Sequence, residues 1–356
     1  METPALILDI DRLRANAERM LTHCADLGVT LRPHVKTPKS VDVAKLATGG
    51  RMSTITTSTL AEAEHFAKAG FTDILYAVGI TPNKFARVRR IGPGLMLVVD
   101  SVEMAVALAE SDLPNPVLIE IDCGEHRGGL HETDPALEQI ARALGAQFAG
   151  VMSHAGQSYS TDDLAIIQHM ATTEADAARR AADRLREGGL EVGIVSIGST
   201  PTVLHADNLD GITELRAGIY LFYDLSQAGR KICGFDDIAL TVLSTVIGHN
   251  RNAGVLTLDA GALAMSKDIG AQKYLPNAGY GWLCDADTLA PLGLSVDVVH
   301  QEHGTVPITD PNVYDQLPIG SMVRILPVHA CLTAAGGYGR YHLTDGRVWS
   351  RVDGWD

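Results

Sequence analysis

The chain has 356 residues, 46% of them hydrophobic, and a formal net charge of −14. That length exceeds one ordinary compact domain but suits a (β/α)8 barrel of about 250 residues with a smaller second domain. The acidic balance argues against nucleic acid or an anionic membrane as main partner and leaves small substrates open.

No apolar run reaches the ~18 residues of a membrane helix. The start METPALILDI has neither a basic stretch nor an apolar run of signal length. Cys24, Cys123, Cys233, Cys284 and Cys331 are few, odd in number and scattered. These features predict a cytoplasmic protein with reduced thiols.

In chain order, residues 6–8 read as a short strand. Residues 11–26 read as a helix, because Leu13, Ala17, Met20, Leu21 and Cys24 recur on one face. Strand-like runs follow at 29–35, 53–55, 74–78, 95–99, 117–121, 148–153, 192–197 and 218–222. Helices are predicted between most of them. The stretch 60–69 stops at Gly70, and 101–110 is capped by Asp100 with Glu103 three residues on. The stretch 136–144 stops at Gly145, and 161–187 at Gly188-Gly189.

Eight strands from residue 29 onward, joined by helical crossovers, predict a closed parallel barrel. The strand before residue 11 is surplus to it. After about residue 236 helical periodicity fades. Short β-type runs appear at 240–247, 255–258, 294–299, 322–326 and 341–343, separated by turns such as Asn252-Ala253-Gly254, Gly336-Gly337 and Asp345-Gly346. The expected fold class is α/β: a (β/α)8 TIM-type barrel over 11–235, with a β domain made of 1–10 and 236–356.

Active sites of such barrels lie at the C-terminal ends of the strands. Lys36, in Leu31-Arg32-Pro33-His34-Val35-Lys36-Thr37, ends the first barrel strand. A lysine there can form a Schiff base with an aldehyde cofactor; it can equally be an ordinary surface lysine. Arg127 sits on the Gly-rich loop 122–129 and suits an anionic oxygen, or only solvent. In Ser153-His154-Ala155-Gly156-Gln157-Ser158-Tyr159, His154 could stack on a planar ring and Tyr159 could hydrogen-bond it, against a structural histidine as the plain alternative.

Gly198-Ser199-Thr200-Pro201 follows the seventh strand and offers donors for a phosphate, which in this fold binds after strands seven and eight. Gly-Ser-Thr is also common in ordinary turns. The eighth strand opens with Arg216-Ala217-Gly218-Ile219-Tyr220. His329 and Cys331, if extended, share a face. Imidazole and thiolate together favour zinc, as half of a site kept open for substrate.

These fragments in this order resemble one family. Thr3-Pro4-Ala5-Leu6, Arg32-Pro33-His34-Val35-Lys36-Thr37, the His154 segment, Gly198-Ser199-Thr200-Pro201, Tyr220-x-Phe222-Tyr223-Asp224 and Pro327-x-His329-x-Cys331 are similar to the D-serine dehydratase and D-threonine aldolase group. That group shares its fold with alanine racemase. The resemblance runs from residue 3 to about residue 350.

The resemblance implies a pyridoxal 5'-phosphate (PLP) barrel with a C-terminal β domain, working as a homodimer on small D-amino acids. It implies Lys36 as the Schiff-base lysine and His154 lining the cofactor ring. Phosphate contacts fall on Ser199, Thr200 and Gly218, with Tyr220 nearby. It also implies a divalent metal at His329 and Cys331, next to the substrate's β-hydroxyl. Two departures stand out: Pro38-Lys39 follows Thr37 where relatives often carry His-Lys, and Arg216 stands where alanine racemases hold an arginine against the pyridine nitrogen, a position that varies in this group.

In a dehydratase, Lys36 removes the α-proton and the metal helps the β-hydroxyl leave. In an aldolase, the metal helps deprotonate that hydroxyl instead. The thiolate of Cys331 selects zinc over manganese or magnesium, and the resemblance implies a D-serine dehydratase rather than a D-threonine aldolase, because zinc-dependent dehydratases of the group carry His-x-Cys where several aldolases carry His-x-Asp. A racemase would need a second acid/base such as Tyr274 or Tyr280, and no metal. A non-catalytic PLP carrier would resemble a barrel alone.

Overall fold

The computed structural model describes residues 1–355. Short apolar runs rich in Val, Ile and Leu, each followed by a helical crossover, are what a parallel sheet buried on both faces requires. They form eight parallel strands: Thr30–Pro33, Thr54–Thr57, Asp73–Tyr76, Leu95–Val99, Val117–Ile121, Phe148–Ser153, Ile194–Ile197 and Glu214–Ala217. The first pairs with the eighth from Thr30↔Glu214 to Pro33↔Ala217. Its end reaches the second through the bridge His34↔Thr56, so the ring is nearly closed. Leu75, Met96, Val98, Leu118 and Met152 pack as one buried cluster. Buried Arg32 ties three strands together, with Nε on Glu214 at 2.8 Å and two N–H groups on the Asp73 carboxylate at 2.9 and 3.0 Å.

The barrel strands lie in a unit of residues 17–220, which the chain rejoins from Gly354. Its longest helix, Leu164–Glu187, starts at Asp163, whose carboxylate accepts the N–H groups of Ala165 and Ile166. Ile167, Ala171, Ala175, Ala178, Ala181, Ala182 and Leu185 are buried along it, and so is the charged Glu174.

A second unit comprises residues 1–16 and 221–353. Its sheet runs Pro291–Ser295, Gly281–Asp285, Met322–Pro327, Leu240–Asn250, Ala5–Leu8, Arg340–Leu343, Val348–Ser350. The N-terminal strand is antiparallel to Leu240–Asn250 and parallel to Arg340–Leu343. Val255–Leu258 returns along Leu240–Asn250 after a turn ending at Gly254, whose φ of +66° suits glycine. No helix of the described residues is long and apolar enough to cross a membrane.

Several expected elements differ. The eighth barrel strand is Glu214–Ala217, and residues 219–221 form a 3-10 turn rather than strand. Gly218 lies against His34, whose carbonyl oxygen would be 2.9 Å from an added Cβ, and the chain turns there. A short buried apolar run reads alike for strand and turn. The helix Val102–Ala109 is capped by Ser101, not Asp100. The expected run 294–299 breaks into Pro291–Ser295 and Val298–Val299. Val41–Ala47, Phe85–Ile91 and Thr200–His205 are helices too short to show a period in the sequence.

Candidate active site

Lys36 emerges just past the first barrel strand with its side chain exposed, and its N–H donates to His34 Nδ1 at 3.4 Å. His34 is neutral: burial pushes its pKa well below the ordinary value, helped by the charges of Lys36 and Arg216 and by His154. His154 follows the sixth strand. Its Nδ1–H donates to the Gly198 carbonyl at 2.8 Å, which leaves Nε2 as an acceptor. Burial takes its pKa down to about 3 against that hydrogen bond, and the Lys36, Arg216 and Arg127 cations add to the drop.

Arg216 is buried, donating to Ser196 Oγ and to the Ser153 carbonyl. The guanidinium is thus committed to neighbouring barrel strands. Its pKa is lowered by burial, opposed by Glu214 and Glu174.

The loop after the seventh strand is held from behind by Glu174. Its Oε1 accepts the N–H groups of Ala155 and Gly198, each at 2.9 Å, and its Oε2 accepts the Thr202 hydroxyl at 2.8 Å. Burial raises the Glu174 pKa, while three donors and Arg216 favour the carboxylate. Gly198 has φ +129°, and an added Cβ would lie 2.4 Å from the Arg216 carbonyl oxygen. Ser199 caps the helix Thr200–His205 with its hydroxyl, which also meets Ser158 Oγ at 2.8 Å.

The Thr200 N–H donates to the Tyr159 hydroxyl at 3.2 Å. Thr200 Oγ1 is buried with no protein partner. An orphaned hydroxyl beside a backbone donor and a phenol fits a phosphate oxygen. Tyr220 is buried in the 3-10 turn that follows. Arg127 stands off: its side chain is 60% exposed and pairs with Glu125 Oε1 at 3.2 Å.

In the second unit, His329 is extended and holds the N-cap position of the short helix Ala330–Ala334 without a side-chain cap bond, so Cys331 is helical. The same-face argument from strand parity therefore fails, yet a single turn still brings the imidazole and the thiol within hydrogen-bonding contact. His329 Nδ1 meets Asp268 Oδ2 at 2.5 Å, which leaves Nε2 for a ligand. Burial lowers the His329 pKa, but Asp268, Cys331 and Asp224 outweigh it and push it up to about 11.

A carboxylate on the far nitrogen is the usual support of a metal-binding histidine, and the imidazole–thiol donor set fits a zinc-type ion. Among the described residues no group of three or more His, Cys, Asp or Glu is arranged to hold a metal. The pair thus offers two ligands only.

Sequence reasoning missed Asp268, Glu174 and His34. Only Glu174 left a signal: it falls on the buried stripe 167, 171, 174, 178, 181, 185, where a charge is out of place.

Residues 8–226 match the family profile "Alanine racemase, N-terminal domain", and residues 239–344 match "Putative serine dehydratase domain". The chain is 43% identical to D-threo-3-hydroxyaspartate dehydratase of Delftia sp. strain HT23, across 100% of this chain and 98% of that one. It is 32% identical to D-serine dehydratase of Dictyostelium discoideum, across 96% and 93%.

The solved Delftia enzyme superposes with a TM-score of 0.94 at 42% identity, covering 100% of this chain and 98% of that one. Variants of that enzyme have also been solved in which a histidine, or the cysteine two positions after it, is replaced by alanine; the cysteine variant is described as metal-free. Alanine racemase of Clostridium difficile, at 15% identity and a TM-score of 0.70, shares the fold over 99% of this chain and 100% of that one. This chain belongs to the D-serine dehydratase and D-threonine aldolase family, the PLP-dependent lyases built on the alanine racemase fold.

Proposed function

We propose that this lyase dehydrates β-hydroxy-D-amino acids to a 2-oxo acid and ammonia, with D-threo-3-hydroxyaspartate the leading substrate and D-serine the next. One observation carries the dehydratase reading: His329 and Cys331 meet across one turn, with Asp268 on the far nitrogen of the histidine. A dehydratase 43% identical over its whole length has solved variants at a histidine and cysteine of the same spacing, one of them metal-free. That full-length similarity also puts 3-hydroxyaspartate ahead of D-serine, the substrate favoured by the motifs alone.

When bound, PLP supplies an electron sink at the substrate's α-carbon, and a divalent metal, zinc by its ligands, supplies Lewis acidity toward oxygen. Lys36 Nζ anchors the cofactor and serves as base for the α-proton. Thr200 Oγ1, the Thr200 N–H, Gly218 and the Tyr159 hydroxyl hold the phosphate, with Ser199 shaping the loop and Tyr220 supporting it. Neutral His154 lines the ring without adding charge, and Arg127 lends positive potential. His329 Nε2 and Cys331 Sγ hold the metal. The resemblance adds a homodimer, which sedimentation would test.

The deciding experiment is product analysis. D-threo-3-hydroxyaspartate, D-serine and D-threonine are each incubated with PLP-loaded enzyme and Zn2+. Ammonia and a 2-oxo acid, with the highest kcat/KM for the hydroxyaspartate, are expected. Glycine plus an aldehyde would make the chain an aldolase, and inverted amino acid without ammonia would make it a racemase.

A further inference from the structure

The motif Tyr220-x-Phe222-Tyr223-Asp224 ends on a carboxylate for which the reading above has no use. Asp224 is fully buried. Its Oδ1 accepts the Gln227 N–H at 2.9 Å, capping the short helix Leu225–Gly229. Its Oδ2 accepts the Ala330 N–H at 2.8 Å. Ala330 lies between His329 and Cys331 and opens the helix that carries Cys331. One carboxylate therefore caps two helices, and the second cap falls in the middle of the metal pair. A further bond runs between the same segments, from the Ser226 N–H to the Val328 carbonyl at 3.2 Å.

The preceding residue, Tyr223, has φ +48°, a left-handed conformation that an aromatic side chain rarely adopts. Such strain persists only where the surroundings enforce it. Here it delivers the Asp224 carboxylate to its two donors.

We propose that Asp224 is a positioning residue for the metal site. It fixes the 329–331 turn so that imidazole and thiol face one ion, without touching the ion itself. The role rests on the metal reading above. An N–H at a helix start has no partner within its own helix. Without Oδ2 the Ala330 N–H would be buried unpaired, and the turn would shift to satisfy it.

The test uses Asp224→Asn and Asp224→Ser in the full PLP-loaded chain. Asn keeps the shape but has one acceptor oxygen for two donors. Ser keeps the Gln227 cap, for which it is a good residue, and cannot reach Ala330. Zn2+ affinity is measured by competition with a chromophoric chelator, alongside PLP absorbance, circular dichroism and thermal unfolding of the metal-free proteins.

Wild type should bind Zn2+ and His329→Ala should not. Both Asp224 variants should bind at least about 10-fold more weakly, the range typical of residues that orient metal ligands, with PLP absorbance and fold retained and occupancy restored at high Zn2+. A folded Asp224→Ser variant binding Zn2+ as tightly as wild type, while His329→Ala does not, would overturn the role and leave the metal reading intact. Equal binding by wild type and His329→Ala, or none by either, would remove the metal reading and this role with it.

Discussion

Glu174 holds Gly198: the Gly198 N–H donates to Glu174 Oε1 at 2.9 Å, and the same oxygen takes the Ala155 N–H. One buried carboxylate thus couples the loop that carries His154 to the loop that carries Thr200. Glu174→Gln keeps one strong acceptor for two backbone donors and weakens the grip on Thr202. PLP affinity should fall about 10-fold, and the cofactor-free protein should lose about 2 kcal/mol of stability. Absorbance titration with PLP and urea unfolding check the two effects separately; unchanged PLP affinity would confine Glu174 to a structural role.

Thr200 isolates the phosphate contribution. Its buried hydroxyl has no protein partner, so Thr200→Val should leave cofactor-free stability unchanged or raise it slightly. PLP should bind about 10-fold more weakly, the equivalent of about 1.4 kcal/mol. Loss of stability without loss of PLP affinity would place the phosphate elsewhere.

For Lys36, borohydride reduction of the PLP-loaded protein should fix the cofactor to the single peptide containing that residue, as mass spectrometry would read. Lys36→Ala should leave no covalently fixed cofactor and abolish turnover. Cofactor fixed to any other peptide sinks the assignment.

The depressed pKa of His154 has a defined sign. Its folded value, about 3, lies below the ordinary 6.5, so the fold favours the neutral ring. That stabilisation is complete above 6.5 and is lost as pH falls from there toward 3. His34, also lowered, acts in the same direction. Wild type should therefore lose more stability than His154→Asn between about pH 7.5 and about pH 4.5, by about 2 kcal/mol. Equal losses in paired urea unfolding curves would count against a buried neutral His154.

Chelation tests the metal. With only two protein ligands the ion should leave without unfolding the chain. Ammonia release from β-hydroxy-D-amino acids should then drop by more than about 10-fold, while cofactor absorbance persists, and exchange of the α-proton should suffer less than loss of the hydroxyl. His329→Ala should copy the effect. Full turnover by protein shown by elemental analysis to be metal-free would rule the Lewis acid out.

The barrel was legible because eight apolar runs with helical crossovers leave few alternatives, and the helix stops at Gly70, Gly145 and Gly189 sit where φ is positive. The short helices were not, since Val41–Ala47 or Thr200–His205 spans too few residues to repeat a pattern. Lys36, Thr200, His329 and Cys331 could be picked out because they lie in motifs at element ends. Glu174 and Asp268 act through distant partners: Glu174 bonds residues 19 and 24 positions away, and Asp268 bonds one 61 positions away. Such pairings exist only once the chain is folded. The pairing of His329 with Cys331 was expected from strand parity but arises from a helical turn.

The strand Ala5–Leu8 sits inside the second sheet, flanked by Leu240–Asn250 on one side and Arg340–Leu343 on the other. This makes the sheet dependent on both extremities of the chain. During synthesis the first strand emerges more than two hundred residues ahead of either neighbour, so completion of the sheet is a late, long-range event. The segment 236–356 expressed alone would present two bare strand edges where residues 5–8 belong, an invitation to self-association. A circular permutation that joins the old termini and opens the chain near residue 236 would put the three strands on one continuous segment, and should recover a soluble sheet where simple truncation does not.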